Sequence, residues 1–474
     1  MGKPTGFLEI ERQEPQERPV KERIKDYLPF HILDKDNRQS QSSRCMNCGV
    51  PYCQSNMKVN GKAVGCPLGN LIPEYNHLIY LGLYKEAFNR LNKTSPFPEF
   101  TGRVCPGLCE AACSCSIDYK SVTTKENELF LSDLAFENGW IKPNHPKRNG
   151  KSVAVVGSGP SGLACAKKLN DEGFLVTVYE KNDRFGGLLM YGIPNMKIDK
   201  KIVERRIKLL EQEGIIFVNN TKIGYDYPLD KLSLNYDYIV FACGTSKPRT
   251  LNLPNNNLKG IIPAVEYLKD VTKSYLDGTS AQFSVNDKNV IIVGGGDTGN
   301  DCAGSAIRQG CKSLYQLEIM KEPPIENTLP WPNYPNKKKT DYGVKEAIET
   351  LGYEIRLYET TIDEIVGKDY IEGVYVKNVK FENGKFIDVP NSRKYLPCET
   401  LIISMGFMGT SEEDLNHYNL ENNNYRIKLN DFKYNDKIYV CGDMKNGQSL
   451  VVSAINDGLN CAQTIINNSL KLNN

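Results

Sequence analysis

The sequence predicts an α/β protein in which a helical, cysteine-rich N-terminal region precedes two units built on parallel β-sheets. The segments 151–162 and 288–299 share one pattern: a basic residue, an apolar strand, a glycine-rich turn and the start of a helix. Eight of the fifteen cysteines fall between Cys45 and Cys115, whereas the other seven are scattered singly. Repeated strand–turn–helix units are typical of parallel sheets, so we expect two such units behind one helical domain.

Length and charge limit the possible partners. A chain of 474 residues allows about three domains. The formal net charge of +2 gives no reason to expect a nucleic-acid partner. Without an apolar run of about 20 residues, we expect no membrane span. The charged N-terminal segment has no apolar core, so we also expect no secretory signal and a cytoplasmic location.

The first glycine-rich turn has the features of a dinucleotide site. The strand at 153–156 leads into Gly157, Gly159 and Gly162, which are spaced as Gly-x-Gly-x-x-Gly and followed by a helix rich in small residues. In this motif the glycines permit a tight turn, close approach of a pyrophosphate and packing of helix on strand. The next strand, 175–179, ends in Glu180, which is placed to bind a ribose diol.

Two further segments indicate that the first site binds FAD. The Gly-Gly pair at 186–187 would let the backbone run along the flavin. Near the C-terminus a strand ends in Gly-Asp, whose carboxylate can accept hydrogen bonds from ribityl hydroxyls. A helix starting around residue 449 would direct its N-terminal dipole at the flavin pyrimidine edge. The predicted FAD contacts are Gly157, Gly159, Gly162, Glu180, Arg184, Gly187, Leu188, Gly442, Asp443 and Ser449.

The second glycine-rich turn predicts the NAD(P)H site, with Gly294, Gly296, Asp297 and Thr298 as contacts. Its acid is Glu318, which lies 24 residues beyond the first glycine, whereas the acid of the FAD motif lies 23 beyond its own. An acid at this place favours the 2′-hydroxyl of NADH over the phosphate of NADPH. The nearby Lys321 and the lysines at 337–339 could offset that preference, so the sequence leaves the choice of nucleotide open.

The cysteine block carries no histidine, so the usual zinc-finger pattern is missing, although a cysteine-only zinc site remains an alternative. Its cysteines are clustered, and two of them, Cys66 and Cys105, are followed by proline. Together with the neighbouring flavin motif, this pattern favours 4Fe–4S clusters. Such clusters carry one electron each, which is the outlet that a flavin receiving a two-electron hydride needs.

Five segments resemble the small (beta) subunit of glutamate synthase: 65–70, 97–106, 186–194, 294–302 and 447–452. The resemblance runs essentially from end to end, and the N-terminal half of dihydropyrimidine dehydrogenase is similar in layout but more distant. It implies two 4Fe–4S clusters. One would be held by Cys45, Cys48, Cys53 and Cys113, and the other by Cys66, Cys105, Cys109 and Glu128. The role of Glu128 comes from the family alone, and Cys115 is an extra thiol that leaves the choice of Cys113 open.

The resemblance and the motifs together predict the two-dinucleotide flavoprotein architecture. We expect a helical iron–sulfur domain at 1–148, an FAD domain at 149–285 and 405–474, and an NAD(P)H domain at 286–404. Hydride would pass from NAD(P)H to FAD, and single electrons through the clusters to a glutamate synthase large subunit. No protein acid or base is expected in the chemistry, since the cofactors carry it.

Two other functions remain open at this point. One is a stand-alone NAD(P)H reductase of ferredoxin or of a small-molecule acceptor. The other belongs to a different class, a zinc-stapled interaction protein that retains inactive nucleotide folds.

Overall fold

The computed structural model describes residues 2–471 except 422, 423, 426, 428 and 430. The region before residue 150 is mainly helical, and its core packs apolar side chains of the longer helices around Tyr75 and Leu131. Its elements are α1 Gly6–Glu9, β1 Gln16–Glu17, α2 Val20–Arg23, β2 His31–Ile32, α3 Arg38–Ser42, β3 Met57–Val59, β4 Lys62–Val64, α4 Ile72–Tyr80, α5 Tyr84–Asn92, α6 Pro98–Val104, α7 Leu108–Ala111 and α8 Thr124–Glu137.

Strands and helices alternate after residue 150, as the glycine-rich repeats predict. The first group comprises β5 Ser152–Val156, α9 Pro160–Asp171, β6 Leu175–Tyr179, α10 Leu188–Tyr191, α11 Lys200–Gln212, β7 Ile216–Val218, α12 Leu229–Asn235, β8 Tyr238–Phe241 and β9 Lys247–Pro248. The second comprises β10 Ile261–Pro263, α13 Ala264–Asp277, β11 Asn289–Val293, α14 Asp297–Arg308, β12 Ser313–Leu317, α15 Tyr342–Leu351, β13 Arg356–Leu357, β14 Thr360–Gly367, β15 Ile371–Glu382, β16 Lys385–Asp388, β17 Lys394–Pro397 and β18 Thr400–Ile403. The last comprises β19 Phe407–Gly409, α16 Glu412–His417, β20 Ile438–Val440, α17 Asp443–Asn446 and α18 Val451–Lys471.

The first parallel sheet has the strand order β20-β8-β5-β6-β7. Its strands are short apolar runs because both faces are covered. Val153 and Val155 face one core, which contains α9 and α18, whereas Ala154 and Val156 face the other. The C-terminal strand β20 completes this sheet by pairing with β8, so the chain returns to its first unit after building the second. The predicted α/β fold class is confirmed.

The second parallel sheet has the order β10-β18-β11-β12-β13, with an antiparallel group of β14 to β17 inserted before its return strand. The expected start of this unit at residue 286 needs correction. Ile261–Pro263 pairs in parallel with β18, and Tyr267 and Leu268 of α13 lie in the core of the second sheet. Residues 261–285 therefore pack with the second sheet, not with the first.

Buried ion pairs join the three units. The Glu99 carboxylate in α6 accepts from Arg206 of α11 over 2.5 and 3.0 Å, which ties the cysteine-rich region to the first sheet. Arg23 in α2 pairs with Glu346 of α15 at 2.7 Å, and neither side chain is exposed. Within the described range, no helix has the length and apolar character needed to cross a membrane.

Candidate functional site

A cavity of about 430 Å³ lies at the carboxyl edge of the first sheet and extends to the second. Ligand pockets usually fall between about 300 and 1,000 Å³, so this space suits an organic cofactor. Seven of the residues predicted as FAD contacts line it, together with one residue of the NAD(P)H motif. These are Gly157, Gly159, Glu180, Gly187, Leu188, Asp443 and Ser449, with Thr298 from the second motif. Ser449 lies beside Asp443.

The glycine turn has the shape of a phosphate cradle. Gly157 has a φ of +108°, and a Cβ there would come within 2.5 Å of the Ala242 carbonyl. A Cβ at Gly162 would collide with the carbonyl of Gly157. Around Gly159, by contrast, no described atom lies within 4 Å of a virtual Cβ. The open position adjoins the start of α9, where free backbone N–H groups can bind phosphate oxygens.

Glu180 ends β6 beside this turn and is almost fully buried. Its carboxylate accepts from the backbone N–H and the hydroxyl of Ser158, at 3.2 and 2.6 Å. The other oxygen accepts from the backbone and side-chain amides of Asn182. The acid is thus held against the glycine turn, in the position expected of a ribose-binding carboxylate.

Asp443 projects from the carboxyl end of β20 into the cavity. Burial raises the pKa of its carboxyl to about 6, although the Ser449 hydroxyl donates to it at 2.5 Å. The preceding Gly442 does not line the cavity, and its N–H donates to Asp457 in α18 at 2.6 Å. Asp457 has no counterpart among the predicted contacts.

Arg184 departs from the expected flavin contact. Its guanidinium donates to Asp277 in α13 at 2.6 Å and to the Tyr191 hydroxyl at 3.0 Å, outside the cavity. The side chain therefore links the first unit to the second. Sequence order gave no indication of this, because the partner helix lies some ninety residues away.

The second glycine turn repeats the first in a more exposed setting. Gly294, with a φ of +118°, is packed against Ser404, whereas Gly296 and Asp297 at the start of α14 are open to solvent. Glu318 accepts from the backbone N–H of Gly295 at 3.0 Å, just as the acid of the first site does from the equivalent amide. This common geometry supports the equivalence of the two acids.

Several cavity residues come from strand ends that the motif search did not consider. Cys243 to Ser246, after β8, and Gln448, before α18, line the cavity. Ser404, after β18, also lines it, and its buried hydroxyl has no hydrogen-bond partner among the described residues. Because the carboxyl ends of parallel strands meet at one edge, that rule would have located the strand-end residues. Tight glycines, open space and an unpartnered hydroxyl together fit a bound dinucleotide.

A largely buried ion pair joins the first unit to the second. The Lys197 ammonium lies 3.2 Å from the Asp301 carboxylate in α14, which also accepts from the Tyr342 hydroxyl at 2.9 Å. The carboxylates of Asp301 and Asp297 outweigh burial and raise the pKa of Lys197. No sequence motif predicts the pairing of Lys197 with Asp301.

The first set of thiols comprises Cys45, Cys48, Cys53 and Cys113. Burial raises the pKa of Cys45 to about 11, and the nearby thiolates of Cys113 and Cys48 raise it further. The pKa of Cys53 is raised by burial and by the other three thiols. Cys115 lies beside Cys113, and its Sγ is 3.7 Å from the Arg44 carbonyl. The four predicted ligands are thus mutual neighbours.

The second set comprises Cys66, Cys105, Cys109 and Glu128. Burial raises the pKa of Cys66 to about 12, with further contributions from the carboxylate of Glu128 and the thiolate of Cys105. Burial also raises the pKa of Glu128 to about 7, and the Thr101 hydroxyl donates to it. A carboxyl group buried among thiols is unusual for a structural glutamate.

The two sets adjoin each other, because the N–H of Cys66 donates to the carbonyl of Cys53 at 2.8 Å. In the part of the chain that the structure describes, no three His, Cys, Asp or Glu side chains converge on a point where one metal ion could bind. The thiolates of a 4Fe–4S cluster bond different iron atoms, so they stand further apart than the ligands of a single ion.

Comparisons with known proteins agree with this division. Residues 151–458 match the family model of pyridine nucleotide-disulphide oxidoreductases, and residues 28–140 match that of dihydropyrimidine dehydrogenase domain II, 4Fe-4S cluster. Among solved structures, Mycobacterium tuberculosis FprA in complex with NADPH has a TM-score of 0.54 at 18% identity. The matched region covers 68% of this chain and 85% of the FprA chain, which shows a shared fold.

The fold and the two matches define an NAD(P)H-dependent FAD and iron–sulfur oxidoreductase, as predicted. The glutamate synthase (NADPH) small chain of Bacillus subtilis is 44% identical to this chain over 98% of both proteins. Glutamate synthase (NADH) of Saccharomyces cerevisiae is 41% identical over 98% of this chain but only 22% of its own length. The chain belongs to the glutamate synthase small chain family. This confirms the resemblance and favours iron–sulfur over the zinc alternative.

Asp443→Ala is expected to weaken FAD binding about 10- to 100-fold, because a hydrogen bond to a charged group contributes about 1.5–3 kcal/mol. In the wild type, FAD affinity should rise as pH increases through about 6, where the carboxyl ionises and becomes a stronger acceptor. Asp443→Asn should abolish that rise. Equilibrium dialysis of FAD at pH 5 to 8 measures both effects.

The matched control is Asp436→Ala, since Asp436 is fully exposed in the same C-terminal segment. Cys45→Ser provides a second control, because it changes the thiol set and not the cavity. Equal FAD affinity in Asp443→Ala and these controls would show that the flavin site lies elsewhere.

Proposed function

We propose that this chain is the electron-input component of a glutamate synthase and delivers electrons from NAD(P)H to a large subunit. The main support is its end-to-end similarity to proteins named as small chains of that enzyme. The yeast relative carries the similar region within a chain more than four times longer, which suits a unit that works beside further domains. We also propose a cytoplasmic location, since a reducing compartment keeps all fifteen cysteines as thiols or cluster ligands.

In this proposal residues 149–260 and 405–474 bind FAD, residues 261–404 bind NAD(P)H, and residues 1–148 hold two 4Fe–4S clusters. Bound FAD would accept a hydride from NAD(P)H and pass single electrons to the clusters. The residues of the chain would bind the cofactor and hold it in position. Glu180 would hold the ribose, Asp443 the ribityl chain, and the start of α9 the pyrophosphate.

Packing supports an order for the two thiol sets. Phe97, just before α6, and Phe100 within it lie in the core of the first sheet, and α6 ends at Val104, directly before Cys105. The second set is therefore nearer to the flavin unit. The first set lies beyond it across the Cys66–Cys53 hydrogen bond. We infer a route from FAD through the second set to the first and then to the acceptor.

The expected cofactor content is one FAD and about eight iron atoms per chain after anaerobic purification. Cys45→Ser and Cys66→Ser should each retain about four iron atoms, because each removes a ligand of only one set. Cys115→Ser should retain all eight if Cys113 is the ligand. Iron, acid-labile sulfide and flavin assays provide the measurements.

The control for these substitutions is Cys311→Ser, a free buried cysteine in the core of the second sheet. Stoichiometric zinc with negligible sulfide in the wild type would contradict the proposal. Loss of all iron in every variant except the control would show that the two sets do not bind independently.

The choice of nucleotide rests on Glu318. Its half-buried carboxylate stands at the end of β12, where a 2′-phosphate of NADPH would lie. Two of the lysines that the sequence offers to neutralise the phosphate are engaged elsewhere: Lys338 pairs with Glu322 at 2.5 Å, and Lys339 lies 4.2 Å from the ring centre of Tyr334. We therefore infer a preference for NADH, while the names of relatives include both nucleotides.

Glu318→Ser is expected to improve kcat/KM for NADPH roughly 10- to 100-fold, because two anions in contact in a partly desolvated site cost a few kcal/mol. Steady-state reduction of an artificial dye with each nucleotide measures the effect. Glu326→Ser, an exposed position in the following loop, serves as the control. If the wild type prefers NADPH and Glu318→Ser changes nothing, Glu318 has no part in the choice.

The partner is tested by reconstitution with a separately purified glutamate synthase large subunit. The mixture should form glutamate from glutamine and 2-oxoglutarate at the expense of NAD(P)H, whereas the chain alone should reduce dyes but form no glutamate. Cys45→Ser should keep FAD and lose most of the coupled activity. Efficient reduction of ferredoxin by the chain alone, with no binding of the large subunit, would favour the stand-alone reductase.

A further inference from the structure

The loop between β12 and α15, residues 319–341, leaves the nucleotide unit directly after Glu318 and reaches the cysteine-rich region. At its tip the indole Nε1–H of Trp331 donates to the backbone carbonyl of Cys113 at 3.2 Å. The same ring packs against Tyr52, with ring centres 4.7 Å apart. Tyr52 precedes Cys53, so one side chain of the nucleotide unit contacts two segments that carry the first thiol set.

A second residue of the loop contacts the cysteine-rich region close to the other thiol set. The Tyr334 hydroxyl donates to the carbonyl of Pro106 at 3.4 Å, one residue after Cys105. The base of the loop is fixed to the nucleotide unit, since Arg356 donates to the Lys339 carbonyl at 2.7 Å. The loop is therefore fixed at its tip to the cysteine-rich region and at its base to the nucleotide unit.

Only part of the loop is docked. The side chain of Ile325 is 86% exposed, whereas that of Trp331 is half-buried against the cysteine-rich region. Cys48 and Cys53 of the first set are themselves half-exposed, in contrast to the buried Cys45 and Cys113. The indole packs on Tyr52, next to the half-exposed Cys53, and bonds the segment of the buried Cys113, so it lies over one side of the first set.

We propose that Trp331 is a positioning residue that sets the reduction potential of the 4Fe–4S cluster bound by the first thiol set. The inference rests on the proposed function, because it requires a cluster at that set. Reduction adds negative charge to a cluster, so water near it raises the potential and a dry cover lowers it. The indole N–H acts in the opposite sense, because by donating to the Cys113 carbonyl it offsets the negative end of that dipole beside a cluster ligand, which favours the added charge.

These two effects are separated by two substitutions. Trp331→Ala removes both the cover and the donor and, because loss of the cover is the larger effect, should raise the midpoint potential of the first cluster. Trp331→Phe keeps an aromatic cover but removes the donor, and should shift the same potential downwards by a smaller amount. Redox titration of the purified holoprotein, followed by electron paramagnetic resonance, resolves the two clusters. Ile325→Ala, in the exposed part of the same loop, should leave both potentials unchanged.

A wrong proposed function and a wrong role for Trp331 would give different experimental results. Unchanged iron content in Cys45→Ser would contradict a cluster at the first set, and thus the proposed function. Normal cluster content with potentials in both Trp331 variants equal to those of Ile325→Ala would overturn the role of Trp331 alone. A shift confined to the second cluster would overturn it as well. If Trp331→Ala does not fold, Trp331→Phe carries the test.

Discussion

The placement of the three units relative to one another depends on largely buried ion pairs at their boundaries. Glu99 and Arg206 join the cysteine-rich region to the first sheet, and Lys197 and Asp301 join the first sheet to the second. Burying such a pair is close to neutral in net free energy, but removing one partner leaves an uncompensated charge and costs about 3–5 kcal/mol. The pairs therefore add little to the net stability, but they select one arrangement of the units over others. That specificity matters because the cavity has walls from both sheets.

The same arrangement gives the thiol sets their relation to the cavity. Phe97, just before α6, and Phe100 within it lie in the core of the first sheet, which fixes the nearby Cys105 relative to that sheet. From there a single backbone hydrogen bond joins the second set to the first. The cysteine-rich region and the sheet thus share a core, and the short path between them is a consequence of packing.

The sequence predicted the parts of this structure that depend on local geometry. Glycine spacing located both turns, because a Cβ at Gly157 or Gly294 would strike the neighbouring strand end. It did not locate β10, because a strand of only three residues, Ile261–Pro263, has no periodic signal. The sequence also could not predict the ion pair of Arg184, since Asp277 reaches it only when α13 packs across the unit boundary. The thiol sets came from the family resemblance, because Cys113 lies sixty residues from Cys53 and spacing alone leaves Cys115 as an equal choice.

The two equivalent acids show how one motif can serve two kinds of ligand. Glu180 is 4% exposed and is held by Ser158, which is fully buried. Glu318 is half-buried and accepts from Gly295, which is exposed. A site enclosed on all sides releases its ligand slowly, because the surrounding packing must open, whereas an open turn lets a ligand exchange during each catalytic cycle. The difference in burial thus fits a resident cofactor at the first site and a diffusible nucleotide at the second, although both acids accept from the backbone N–H of the equivalent turn residue.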